Sequence, residues 1–110
     1  MTLIRKRYEI YYADLNPTIG GEIKKVRPVV IVSHNEMNKY LDTVVICPLT
    51  SKLHPQWRPR LQIICTGKEA EIAVDQIRTI SKQRLKQKID KLSSEDAAQL
   101  RRVITEMYGE

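Results

Sequence analysis

Apolar and polar residues begin to alternate at Tyr8, where Tyr8, Ile10 and Tyr12 are interleaved with Glu9, Tyr11 and Ala13. A period of two predicts a strand over 8–15. Asn16 to Lys25 (NPTIGGEIKK) is turn chemistry, with Pro17 presetting φ and Gly20–Gly21 permitting a tight loop. The β-branched run Val26–Ser33 is broken by Pro28, which has no N–H to give, so this strand lies at an edge or begins after the proline. His34–Asp42 reads as a polar connection, and Thr43–Ser51 (TVVICPLTS) as another strand. Lys52–Pro59 carries two prolines and is a loop. Arg60–Thr66 and Glu71–Ile80 are two more strand candidates, turned at Gly67–Lys68. Ser81–Leu92 is ambiguous, because Leu85, Ile89 and Leu92 have helical spacing in a short, lysine-rich stretch. The last element is a helix: Ser93 or Ser94 caps it, and Glu95 and Asp96 suit its dipole. Ala97, Leu100, Val103, Ile104 and Met107 form its apolar stripe, and Gly109 ends it. The expected fold is mainly β (α+β), a small curved sheet or barrel with one C-terminal amphipathic helix packed against it.

Length makes this a single-domain chain, 1–110, with enough surface to bury one core. Charge adds a weak hint. Lys and Arg number 19 against 13 Asp and Glu, a net +6 that favours a polyanionic partner but is also common in small soluble domains. Residues 1–55 and 56–110 each carry +3, so there is no basic tail; the densest excess is Arg78–Lys91, where Asp90 is the only acid. No apolar run approaches the roughly 18 residues of a membrane span, and Met1–Tyr12 does not resemble a signal peptide. A cytoplasmic protein is expected. Cys47 and Cys65 sit in apolar runs as buried thiols, and with His34 and His54 they match no zinc spacing, so neither metal nor cofactor is expected.

Two places invite chemistry. Arg27 stands before Pro28, which holds its backbone extended, and its planar fork suits a phosphate; a surface ion pair is the plainer reading. Thr50–Ser51 closes a strand with two hydroxyls that could donate to a phosphoryl oxygen, or simply form a turn. His34 and His54 would suit acid–base catalysis near neutrality, but both lie in connections and neither belongs to a motif.

Five segments in register resemble the MazF/PemK toxin family: Tyr-Tyr-Ala-Asp-Leu-Asn-Pro at 11–17, Gly-Gly-Glu at 20–22, Val-Arg-Pro-Val-Val-Ile-Val at 26–32, Pro-Leu-Thr-Ser at 48–51, and Asp-Gln-Ile-Arg-Thr-Ile at 75–80. The likeness runs from about Tyr8 to the C-terminus and is closer to the MazF branch. It implies the CcdB/PemK-like toxin fold, an SH3-like barrel plus helix, and resolves Ser81–Leu85 as a helical turn followed by a strand. It also implies a homodimeric, metal-independent endoribonuclease (mRNA interferase) cutting single-stranded RNA, paired with a small acidic MazE-like antitoxin, the complex binding operator DNA. A CcdB-like gyrase poison, acting by protein binding alone, shares the fold and is the alternative; a non-catalytic RNA-binding barrel is the third reading.

The resemblance carries catalysis to Arg27 and Thr50. RNA supplies its own 2′-OH nucleophile, so a clamp and a donor suffice, leaving a 2′,3′-cyclic or 3′-phosphate and a 5′-hydroxyl. Unperturbed Arg is a poor base, so Glu22 is the candidate to take the 2′-proton or orient Arg27. Ser51, Gln76 and Arg78 are expected to support the site or bind RNA. Lys52, Lys25 and Trp57 lie in the loops expected to choose the RNA motif, with Trp57 a stacking face, a lid or an antitoxin contact. PemK-branch chains have an arginine where this chain has Ala73, so that branch's Arg–Asp scheme does not transfer to Asp75.

Overall fold

A computed structural model describes residues 4–109. Its strands are β1 (Glu9–Asp14), β2 (Val26–Ile31), β3 (Thr43–Thr50), β4 (Arg60–Cys65), β5 (Lys68–Ala73), β6 (Arg78–Ser81) and β7 (Leu85–Lys91), with helices α1 (Asn35–Tyr40) and α2 (Ser94–Tyr108). All pairings are antiparallel, in the order β4-β5-β3-β2-β1-β7 with β6 also on β3. The sheet curls into a half-barrel.

β3 is the hub. One edge takes β2; the other takes β6 along Thr43–Ile46 and β5 at Leu49–Thr50. This double pairing explains a departure from the expected single strand at 71–80. A 3-10 turn at Val74–Gln76 divides that run so that its halves meet different parts of a bent β3. His34–Asp42 also departs from expectation, since it contains α1. Its Asn38 is 1% exposed and plugs the N-terminal segment, donating to the Arg5 and Ser33 carbonyls and accepting from the Ser33 hydroxyl. The β4–β5 turn is Thr66–Gly67, not Gly67–Lys68. Both residues have positive φ (49° and 79°), as a two-residue type I′ hairpin requires. Ser81–Leu92 resolves as the resemblance implied, a 3-10 turn at Lys82–Arg84 and then β7.

Strict alternation fails in β1 because both faces of the sheet are covered. Ile10, Val30, Cys47, Leu49 and Ile72 pack under Ala97 and Leu100 of α2, while Tyr11, Ala13, Val29, Ile31, Val44 and Ile46 fill the inside of the curl. Both cysteines are buried thiols, and burial pushes Cys47 to about 12, which keeps it unreactive.

The Ser93 hydroxyl accepts from the Asp96 N–H at 3.1 Å and caps α2. Ser93→Ala is therefore expected to lower stability by about 1 kcal/mol, read as a denaturation midpoint, while Ser94→Ala has a far smaller effect. At the other end Gly109 is not left-handed (φ −85°); a Cβ there would meet the Thr105 carbonyl oxygen at 2.7 Å.

Candidate active site

The β2–β3 ladder has its rungs at Ile31↔Ile46, Val30↔Cys47 and Val29↔Pro48. Carried two residues further, the same register sets Arg27 opposite Thr50. The ladder stops short of them because Pro28 has no N–H. On its other side Thr50 pairs with Glu71, which pairs in turn with Gln62. Arg27 and Thr50 thus line one cleft of about 220 Å³, together with Tyr12, Ser51, Lys68 and Glu69.

Each catalytic candidate is held by one bond and keeps capacity to spare. The Arg27 Nε–H donates to the Lys24 carbonyl at 2.8 Å, and its Nη groups make no hydrogen bond to the described residues. The Thr50 hydroxyl accepts from the Lys52 N–H at 3.1 Å, so its own hydrogen is free to donate. Upstream, Lys25 sits at φ 74°, a left-handed backbone rare for a side chain of this kind. It is tied down by the Leu15 N–H to its carbonyl (3.1 Å) and by its own N–H to Asn16 Oδ1 (3.3 Å). That turn aims the Lys24 carbonyl at Arg27.

The structure separates Glu22 from this cleft. Glu22 lines a neighbouring one of about 440 Å³ with Asp75, Gln76 and Arg78, and its carboxylate accepts the Ile19 N–H at 2.5 Å. Pro48 walls that cleft and Leu49 the first, so β3 stands between them. Gln76 holds the β1–β2 loop: its side-chain oxygen accepts from the Ile23 N–H (2.7 Å) and its amide donates to the Gly21 carbonyl (3.3 Å). Arg78 donates to the Leu15 carbonyl (3.4 Å), and Arg84 to the Asp14 and Asn16 carbonyls. These side chains shape the loop in front of Arg27.

Trp57 and Lys52 do not line the Arg27–Thr50 cleft. Trp57 stacks on His54 with centroids 3.8 Å apart, and the Arg60 guanidinium lies 4.8 Å from its ring. Beneath them is Glu71, a fully buried carboxylate that sequence reading passed over because it looked like the polar phase of a strand. It accepts from Arg60 Nη1 (2.7 Å), Gln62 Nε2 (2.6 Å) and the His54 N–H (2.5 Å). Burial alone pushes the Glu71 carboxyl up, but the hydrogen bonds from Gln62, His54 and Arg60 hold it below its ordinary value. Arg60 also grips Asp75 through Nε (2.8 Å) and Nη2 (3.3 Å). Arg60 is the register partner of Ala73, so the guanidinium missing at 73 reaches Asp75 from the adjacent strand.

Sequence reading also missed Tyr12, Lys68 and Glu69 in the first cleft. Tyr12 falls in the apolar phase of the sequence pattern yet is the exposed residue of β1; Lys68 and Glu69 arrive only through the folding of the β4–β5 hairpin. Among the described residues no group of three or more His, Cys, Asp and Glu could hold a metal ion.

Known proteins resemble this chain in sequence and in fold. A family model described as "PemK-like, MazF-like toxin of type II toxin-antitoxin system" matches residues 6–108. The sequence is 34% identical over 109 residues to the endoribonuclease MazF of Staphylococcus saprophyticus, covering 94% of this chain and 91% of that one. The fold superposes on MazF of Deinococcus radiodurans with a TM-score of 0.86 at 16% identity, covering 99% of this chain and all of the other. The same organism's MazE–MazF complex (Form-II) gives 0.79 at 14% identity, with 98% of each chain covered.

Proposed function

This chain belongs to the PemK-like, MazF-like toxins of type II toxin–antitoxin systems, and on that premise we propose that it is an endoribonuclease cutting single-stranded RNA without a metal ion. The observation that carries the proposal is the shared cleft of Arg27 and Thr50, each with donors to spare. A gyrase poison needs neither group, and the likeness to MazF toxins favours the enzyme.

In the proposed reaction the 2′-oxygen attacks the adjacent phosphorus, forming the O2′–P bond as the P–O5′ bond breaks. The 2′-proton passes to a carboxylate and the departing 5′-oxygen takes up a proton from solvent water, leaving a 2′,3′-cyclic phosphate and a 5′-hydroxyl. Arg27 sets its Nη groups against the phosphorane oxygens, where charge accumulates, and Thr50 donates a further hydrogen bond. Gln76 and Arg78 act through the loop they hold; Ser51, Lys52, Lys25 and Trp57 are assigned to RNA contacts flanking the scissile bond. We assign the 2′-proton to Glu69, the carboxylate inside the cleft; Glu22, the candidate from the sequence, lines the cleft on the other side of β3 and holds the Ile19 N–H.

MazE–MazF complexes among the structural relatives support a second element of the reading. The toxin is a homodimer, an acidic antitoxin covers its RNA site, and the complex binds operator DNA. Among the described residues no helix is long and apolar enough to cross a membrane, which fits action on RNA in the cytoplasm.

Incubation with a long single-stranded RNA in EDTA, with mapping of the cut ends, tests the reaction. Cuts bearing cyclic or 3′-phosphates are expected. No cleavage would refute the enzyme, and cleavage only after added Mg²⁺ would refute the metal-free route. Glu69→Gln is expected to lower the cleavage rate about a hundredfold. If Glu22→Gln does this instead, the base is Glu22.

A further inference from the structure

A third cleft, of about 460 Å³, lies where β1 and β7 meet the start of α2. It gathers Lys6, Arg7, Lys88, Lys91 and Arg101 against the single carboxylate of Glu9. That is a local balance of +4 in a chain whose total is +6. The charge that looked evenly divided along the sequence is therefore concentrated by the fold, and away from Arg27. Glu9 does not cancel the cleft: its oxygens are taken by Lys88 Nζ (2.8 Å), the Lys6 N–H (2.9 Å) and the Tyr11 hydroxyl (3.0 Å). Tyr8 is flanked by the Arg7 and Arg101 guanidinium groups, 4.8 and 5.7 Å from its ring, and its hydroxyl accepts from Arg101 at 3.0 Å.

The two clefts border the same strand: Ile89 of β7 lines the Arg27–Thr50 cleft, and Lys88 and Lys91 line the basic one. Asp90, the carboxylate between them, is occupied by the Thr66 and Lys91 N–H groups, both at 2.8 Å.

We propose that this cleft is a second, sequence-indifferent binding site for the phosphodiester backbone of the RNA being cut, engaging nucleotides beyond those in the Arg27–Thr50 cleft. The inference rests on the ribonuclease reading. Lysines follow a backbone as point charges, and guanidinium groups paired with an aromatic ring suit single strands. The strand β7, which borders both this cleft and the catalytic one, favours RNA over an acidic peptide. In consequence, affinity for RNA depends on strand length, and the extra affinity is salt-sensitive.

The test compares the intact protein with a Lys6→Gln/Lys91→Gln double variant, binding labelled, uncleavable 2′-deoxy-blocked RNAs of about 5 and about 20 nucleotides. For the long RNA the double variant is expected to bind about tenfold more weakly at physiological salt, with a log–log salt slope shallower by about 1.4, or about 0.7 per cation removed. Binding of the short RNA is expected to be unchanged. Arg101→Gln, assayed alone, repeats the measurement should the double variant fold poorly. Equal loss on both lengths, or an unchanged slope, overturns the proposal. So does polyglutamate binding that is tighter than the long RNA and lost in the variant, which would make the cleft an acidic-protein site. Because binding is read without cleavage, the two ideas fail separately. Length-dependent binding without any RNA cleavage sinks the enzyme and spares the cleft, and the reverse outcome sinks only the cleft.

Discussion

Arg27→Ala is expected to reduce RNA cleavage by about a thousandfold or more while the protein keeps its fold and oligomeric state. The side chain makes one hydrogen bond, to the Lys24 carbonyl, so its removal leaves little unsatisfied in the folded protein. What is lost is the pair of Nη groups available to an extra negative charge that exists only in the transition state. Single-turnover rates should therefore fall far more than RNA affinity does. Arg27→Lys should rescue little, since an ammonium restores the charge but not the planar fork. Thr50→Val, which keeps the β-branched shape and deletes the hydroxyl, is expected to cost about a hundredfold. Near-normal single-turnover cleavage by Arg27→Ala would remove Arg27 from the chemistry and with it the site as drawn.

The second large effect is on stability. Glu71→Ala leaves Nη1 of Arg60, 7% exposed in its side chain, without an acceptor while Asp75 keeps Nε and Nη2, and removes the acceptors for the His54 N–H and the Gln62 amide. Each buried donor left without an acceptor costs about 1–3 kcal/mol, so the melting temperature should fall by more than about 10 °C. The pH dependence has a definite sign. The carboxyl is held below 4.5 in the folded protein, so its contribution is complete above that value and is lost as pH falls through the lowered one. Melting curves of intact protein and Glu71→Gln, taken downward from pH 4.5, should converge as the acid removes what the variant already lacks. Curves that stay parallel would show that the carboxylate charge contributes nothing.

Glu71 also shows where sequence reading stopped. Its neighbours in the chain, KEAEIAVD, present it as the solvent phase of a strand. Its burial comes from Arg60 and Gln62 on β4 and from the loop holding His54, and no periodicity within 71–80 contains those partners. The same holds for Trp57, whose composition suggested a free stacking face; its ring is instead engaged by His54 and Arg60. By contrast, a serine cap at 93 or 94, the apolar stripe of α2 and the two buried cysteines were all legible, because each depends on residues within a few positions of one another. Arg27 and Thr50 stood out through their neighbours, Pro28 and the strand end.

The sequence by itself determined the first strands, the C-terminal helix, the fold class, the family and the two residue types able to stabilise a phosphorane. Those properties reside in local periodicity, capping and short motifs. The tertiary structure decided which of them share a cleft. A strand register set Arg27 against Thr50, a wall of β3 placed Glu22 on its far side, and the meeting of β1, β7 and α2 gathered Lys6, Arg7, Lys88, Lys91 and Arg101 into one basic cleft. Register and strand order are settled by contacts between residues far apart in the chain, so they emerge only when the sheet closes.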